Sequence, residues 1–97
     1  MTAKYKRVMI IDDNKLDIYI TNKLVTNNCL AEEVLEYTSA EEALEFIIGN
    51  KDQPENLPSL IFLDIYMPRM DGFEFIDKIN ELDDGIKEHC TICVVSS

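Results

Sequence analysis

The chain has 97 residues, which is enough for one domain with a modest hydrophobic core. Its 9 basic and 19 acidic residues give a formal net charge of -10, which argues against a nucleic-acid surface in this segment because phosphate contacts draw on clustered lysine and arginine. No stretch approaches the roughly 20 apolar residues of a membrane span, and the N-terminal MTAKYKR lacks the cleavage site of a signal peptide. The three cysteines, an odd number, favour a reduced cytoplasmic chain over a disulfide framework.

The first quarter of the chain predicts a strand and then a helix. RVMII, residues 7–11, is an apolar and β-branched run that is too short for a helix, so it predicts a strand buried on both faces. Asn14 is the expected N-cap of the helix that follows, and Asp17 falls in its first turn. The residues at helical spacing in this helix are Leu16, Tyr19, Ile20, Lys23 and Leu24.

A second, weaker strand and a second helix come next. EVLEYT, residues 33–38, predicts the strand, and Ser39 with Glu42 forms the capping-box pattern S-x-x-E. Gly49 is a natural stop for this helix. Its apolar stripe consists of Ala40, Leu44, Ile47 and Ile48.

The second half of the chain continues the alternation after a polar, proline-containing loop at residues 50–59. LIFLD, residues 60–64, predicts a third strand, and TICVVS, residues 91–96, a fourth. Between them we expect a third helix and then a turn region at DDGIKEH, residues 83–89. One face of the third helix should carry Phe73, Ile76, Ile79 and Leu82.

Strands that alternate with helices predict an α/β fold, in which a parallel sheet is covered by helices through right-handed crossovers. The first and third strands are the most continuously apolar, so we expect them at the centre of the sheet. In such a doubly wound sheet, ligands bind beyond the carboxyl ends of the strands.

Carboxylates stand where these two central strands end. Asp12 and Asp13 follow the first strand, and Asp64 ends the third. If the strands are neighbours, three carboxylates meet and repel each other, and a divalent cation such as Mg²⁺ offsets that repulsion. Taken alone, an acidic pair before a helix is often only a favourable charge at the helix N-terminus. Taken alone, Asp64 is likewise explained as a residue that ends a strand. The joint pattern favours the cation site.

At these residues the sequence resembles the receiver domain of two-component response regulators, over essentially the whole chain. VMIIDD is similar to the family's first strand with its acidic pair, LIFLDIYMPRMDG to its phosphoacceptor segment, and ICVVSS to its fourth strand with the hydroxyl switch residue. The resemblance implies a flavodoxin-like doubly wound parallel sheet with strand order 2-1-3-4.

The resemblance also implies residue roles. Asp64 would be the phosphoacceptor and a Mg²⁺ ligand, Asp13 would bind the Mg²⁺ directly, and Asp12 would bind it through a water. The backbone carbonyl of Tyr66 would be a further metal ligand, and Ser96 would carry the switch. The phosphoryl donor would be a phosphohistidine on a sensor histidine kinase or a phosphotransfer protein. The chain would at most transfer the phosphoryl group from phosphohistidine to itself and remove it again slowly. It would not be a conventional enzyme.

Two functional classes follow from this resemblance. One is a phosphorylatable switch, and the other is a receiver-like protein-interaction module that works without phosphate. Asp12, Asp13, Asp64 and Ser96 are all present, which favours the switch because a pure scaffold has no need of all four.

The C-terminal part departs from the family pattern. Receiver domains continue with another helix, a fifth strand that brings a lysine to the phosphate, and a last helix. We therefore expect residues 1–97 to form a single receiver-like domain that is incomplete after the fourth strand. The fourth strand would then have an open edge, apolar at Ile92, Val94 and Val95. We expect either that another chain covers this edge, as in self-association, or that the isolated piece is poorly stable.

Overall fold

The computed structural model describes residues 3–67, 69–82 and 84–95. Strands and helices alternate as the sequence predicts, with one additional short helix before the last strand. In chain order the elements are β1 (Tyr5–Ile11), α1 (Lys15–Asn27), β2 (Ala31–Tyr37), α2 (Ala40–Gly49), a 3₁₀ turn (Pro54–Asn56), β3 (Leu60–Asp64), α3 (Gly72–Asn80), α4 (Asp84–His89) and β4 (Thr91–Val95).

The four strands form one parallel sheet in the order β2-β1-β3-β4, which confirms the predicted order. The register pairs Ile11 with Tyr37 on one side and with Leu63 on the other. Because β1 and β3 are adjacent and in step, their carboxyl ends lie side by side at one edge of the sheet. The acidic residues that follow these strands are thereby brought together.

Three side chains fix the first turns of the long helices. The side-chain oxygen of Asn14 accepts hydrogen bonds from backbone N–H groups of α1 at 2.9 and 3.3 Å. Ser39 does the same for α2 at 3.4 Å, and Asp71 for α3 at 2.9 Å. Each cap satisfies N–H groups that have no partner within the helix. The predicted N-caps at Asn14 and Ser39 are confirmed.

The larger hydrophobic cluster lies between the sheet and the helices α2, α3 and α4. Its largest fully buried members include Phe75 of α3 and Ile47 of α2. The buried members of this cluster are Met9, Ile11, Ala40, Ala43, Leu44, Ile47, Leu57, Ile61, Leu63, Met67, Phe75, Ile79, Ile86 and Cys90.

The smaller cluster lies on the opposite face of the sheet, beneath α1. Its buried members are Val8, Ile10, Ile18 and Val25. Ile18 and Val25 are seven residues, or about two helical turns, apart on α1. The apolar residues whose helical spacing predicts α1 are themselves exposed to solvent: Leu16, Tyr19, Ile20 and Leu24.

Two predictions about the helices are wrong. Phe73 is 64% exposed and Phe75 is fully buried, because the buried positions of α3 follow the spacing of Phe75 and Ile79. The region at 83–89 contains the short helix α4 rather than only a turn, and Ile86 of that helix is buried against the larger cluster.

Among the described residues, no helix combines the length and the apolar character that crossing a membrane requires.

Candidate metal and phosphoacceptor site

Three carboxylates converge at the carboxyl end of the sheet. One oxygen each from Asp12, Asp13 and Asp64 lies within 4.8 Å of the other two. The three side chains differ in depth, since Asp64 is 4% exposed, Asp12 is half-buried and Asp13 is exposed. The cluster therefore reaches from the interior to the solvent, and its innermost member is the residue that ends β3.

The backbone around β1 holds Asp12 in place. Its own N–H donates to the carbonyl oxygen of Tyr37 at 3.1 Å, which extends the pairing of β1 with β2 by one residue. Its carboxylate accepts a hydrogen bond from the N–H of Asn14 at 2.9 Å. Because the Asn14 side chain also caps α1, the end of the strand, the acidic pair and the start of the helix form one local unit.

The loop after β3 is equally constrained around Asp64. The N–H of Tyr66 donates to Oδ1 of Asp64 at 3.1 Å. The N–H of Gly72 donates to the carbonyl oxygen of Ile65 at 3.1 Å. A Cβ at position 72 would lie 2.7 Å from the Cα of Ile65, so only glycine allows this close approach. The start of α3 is thereby packed directly against the loop that carries the buried carboxylate.

The electrostatics of the cluster are unfavourable without a cation. The pKa of Asp12 is raised to about 6, mainly by burial, while the hydrogen bond from Asn14 acts to lower it. The negative charges of Asp64, Asp17 and Asp13, in that order, contribute to the raised value. Protonation of Asp12 near neutral pH is thus one way to relieve the repulsion, and a bound cation is the other.

These donors fit a magnesium ion. Mg²⁺ prefers oxygen ligands and is usually held by one or two carboxylates together with waters and phosphate oxygens. The cluster offers three carboxylates of graded exposure, which leaves the solvent side for water or phosphate. For Tyr66 the contact that the structure gives is its N–H bond to Asp64, and its carbonyl as a ligand stays a prediction. Ser96, the predicted switch residue, lies outside the described residues.

The sequence pattern does not assign one acidic residue near the site to it. It predicts Asp17 only as a favourable charge in the first turn of α1. In the structure it lines a cavity of about 180 Å³ together with Asp12 and Asp64. Its position four residues after Asp13, at the start of a helix that begins at the site, is the signal in the sequence that points there.

The comparisons with known proteins agree with this fold. A model of the response regulator receiver domain matches residues 8–97, and the chain belongs to this family. It is 40% identical over 76 residues to the hybrid signal transduction histidine kinase L of Dictyostelium discoideum, and 31% identical over 101 residues to the histidine kinase CKI1 of Arabidopsis thaliana. These matches take in 77% and 94% of the chain but only 4% and 9% of the two kinases.

Solved receiver structures share the architecture. A two-component response regulator from Cytophaga hutchinsonii superposes with a TM-score of 0.88 at 26% identity, over 97% of this chain and 70% of that one. The receiver domain of CKI1 from Arabidopsis thaliana, complexed with Mg²⁺ and BeF₃⁻, gives a TM-score of 0.79 at 26% identity, over 94% of this chain and 65% of that one. The chain is therefore homologous to receiver domains of both histidine kinases and response regulators, and its flavodoxin-like fold is confirmed.

Proposed function

We propose that this chain is the phosphoacceptor module of a two-component pathway, in which Asp64 receives a phosphoryl group from a phosphohistidine with the help of Mg²⁺. The observation that carries the proposal is the convergence of Asp12 and Asp13 on a buried third carboxylate, Asp64. The related receiver domain of CKI1 in a complex with Mg²⁺ and BeF₃⁻ supports a magnesium-dependent site of this kind.

In the proposed transfer, a carboxylate oxygen of Asp64 attacks the phosphorus atom of the donor. The new O–P bond forms as the P–N bond to the donor imidazole breaks, and the imidazole nitrogen takes up a proton from solvent. The N–H of Tyr66 holds one oxygen of Asp64, which limits rotation of the nucleophile. Bound Mg²⁺ would supply positive charge against the carboxylates and the phosphoryl oxygens.

The remaining roles follow the family assignment. Asp13 would hold the ion directly, Asp12 through a water, and Tyr66 through its backbone carbonyl. Ser96 would hydrogen-bond the phosphoryl group and change the conformation. Attack of water on the phosphorus atom would then release phosphate and restore Asp64. Such a module carries out its own phosphotransfer and slow dephosphorylation, and it acts on no other substrate.

The proposed partners are a histidine kinase or a phosphotransfer protein in the cytoplasm, as for other receiver domains. We also propose that the chain self-associates through β4. Within the described part of the sheet, β4 pairs only with β3, and Val94 and Val95 are about half exposed. No role in nucleic-acid or membrane binding is proposed for this segment.

A receiver-like interaction module that works without phosphate is the second candidate. The exposed apolar side chains of α1 favour it, because they offer a surface for another protein whether or not Asp64 is modified. Phosphorylation of Asp64 distinguishes the two candidates, because only the phosphorylatable switch requires it.

The decisive experiment treats the full chain with acetyl phosphate and Mg²⁺ and follows the intact mass. We expect one phosphoryl group on the wild type, none on Asp64→Asn, and none in the presence of a chelator. The control Asp77→Asn removes an exposed carboxylate of α3 and should be labelled like the wild type. A wild type that stays unlabelled, and that also ignores BeF₃⁻ with Mg²⁺, would refute the phosphoswitch and leave the interaction module.

A further inference from the structure

The acidic cluster has a second side, formed by the cavity next to α1. Asp12 and Asp64 are common to the cluster and the cavity. Their carboxylates lie close to that of Asp13 in the cluster, and they line the cavity together with Asp17. The rest of the cavity wall consists of Ile20, Thr21 and Val95. Asp17 lines this cavity and Asp13 does not.

We propose that Asp17 is a positioning residue of the magnesium site, which increases the affinity for Mg²⁺ through its charge without being a ligand. The inference rests on the proposed phosphoacceptor function and adds a residue to its site. Asp17 is absent from the group of carboxylates whose oxygens lie within 4.8 Å of one another, so a direct metal bond is not part of the proposal.

The position of Asp17 beside the proposed ligands supports this role. Asp17 lines one cavity of about 180 Å³ together with Asp12 and Asp64. A negative charge on the wall of this cavity also acts on a cation held by Asp12 and Asp64.

The surroundings of Asp17 leave its charge uncompensated. Among the cavity-lining residues that the structure describes, none is basic. Within residues 3–67, 69–82 and 84–95, no ion pair engages the Asp17 carboxylate. Ile20 and Val95 line the same cavity and are each about half exposed, so water reaches this charge and a water-like screening applies to it.

The competing explanation is that Asp17 serves only α1. An acidic residue in the first turn stabilises a helix through its N-terminal partial charge. That role predicts that neutralising Asp17 lowers the stability of the fold but leaves the affinity for Mg²⁺ unchanged. The role proposed here predicts a change in affinity that decreases as salt screens the charge.

The test is a calorimetric titration of the full chain with Mg²⁺ alone, at ionic strengths of about 0.01 M and about 1 M. For Asp17→Asn we expect the Kd at low salt to rise about three- to tenfold, as for loss of one charge at a distance on the order of 7 Å in a water-like medium. At high salt the difference should nearly vanish. Asp17→Glu keeps the charge and should retain most of the wild-type affinity.

The matched control is Asp77→Asn, which removes the same charge from an exposed position on α3 and should bind like the wild type. Should Asp17→Asn be poorly folded by circular dichroism, Asp17→Ser replaces it, because serine is accepted at helix N-termini. Unchanged low-salt affinity in these variants, with a wild type that binds Mg²⁺, would overturn the role of Asp17 and leave the phosphoswitch intact. Absence of Mg²⁺ binding by the wild type would overturn both.

Discussion

The two faces of the sheet are covered very differently. On one face, α2, α3 and α4 enclose a large cluster that contains fully buried Phe75, Ile47 and Ile61. On the other, α1 covers a small cluster through Ile18 and Val25. Beside α1 an open groove of about 260 Å³ remains, lined by residues that include Leu24, Phe62 and Val95.

This difference separates stability from function. Most of the apolar burial, and therefore most of the hydrophobic stabilisation, lies on the three-helix face. The carboxylate cavity opens beside α1, where Ile20 and Val95 line it. The less-covered face thus carries both the charged site and the exposed apolar side chains of α1. Three substitution experiments test this division, beginning with the largest expected effect.

The first prediction compares two phenylalanines of α3. Phe75→Ala should lower the free energy of unfolding by about 3–4 kcal/mol, because a fully buried ring is removed from the three-helix face. Phe73→Ala, on the same helix, should change it by less than about 0.5 kcal/mol, because that ring is mostly exposed. Urea denaturation monitored by circular dichroism measures both values. Equal losses would show that burial in the larger cluster is not what makes Phe75 important for stability.

The same pair of residues shows what the sequence predicts well and what it does not. The strands, their order, two N-caps and the acidic cluster follow from local patterns and from the pairing of apolar strands. Phe73 and Phe75 lie within one short helix, and both fit an apolar helical stripe, so the pattern alone does not decide which one is buried. That choice depends on how α3 packs against the larger cluster.

The exposure of the apolar residues of α1 has the same origin. Leu16, Ile20 and Leu24 are spaced by four residues, which is the expected pattern for a helix face that packs on a sheet. Burial also requires something to cover that face, and in the described chain only the side at Ile18 and Val25 is covered. Asp17 was missed because a charge in a first helical turn has an adequate local explanation.

The second prediction tests whether charge, as well as missing apolar cover, weakens the region beside α1. Since folding raises the pKa of Asp12 to about 6, the folded protein holds this proton more tightly than the unfolded chain. The stabilisation from Asp12 is complete below about pH 4, and it is lost as the pH rises through about 6.

Asp12→Asn should therefore be more stable than the wild type at pH 7.5, by on the order of 1 kcal/mol once solvent screening is allowed for. The difference in stability between Asp12→Asn and the wild type should disappear as the pH approaches 4. Added Mg²⁺ should reduce this difference at pH 7.5 by stabilising the wild type. Thermal melts over this pH range measure the effect, with Asp77→Asn as a control outside the cluster. A gap that is independent of pH would rule out charge repulsion as its cause.

The third prediction has the smallest effect on stability and concerns the apolar edge of β4. Val94 is 46% exposed there, whereas Ile48 is similarly exposed on α2, on the well-covered side. Val94→Lys and Ile48→Lys should each change the free energy of unfolding by about 0.5 kcal/mol or less, because neither removes a fully buried group. Only Val94→Lys should weaken self-association, since a lysine on an edge strand opposes pairing with another strand. Sedimentation velocity over a range of concentrations measures this difference. The opposite edge of the sheet explains why β4 is the expected contact, because β2 exposes Glu32 and Glu36, whose charges repel a second copy. If Val94→Lys sediments like the wild type at every concentration, β4 is not the surface through which the chain self-associates.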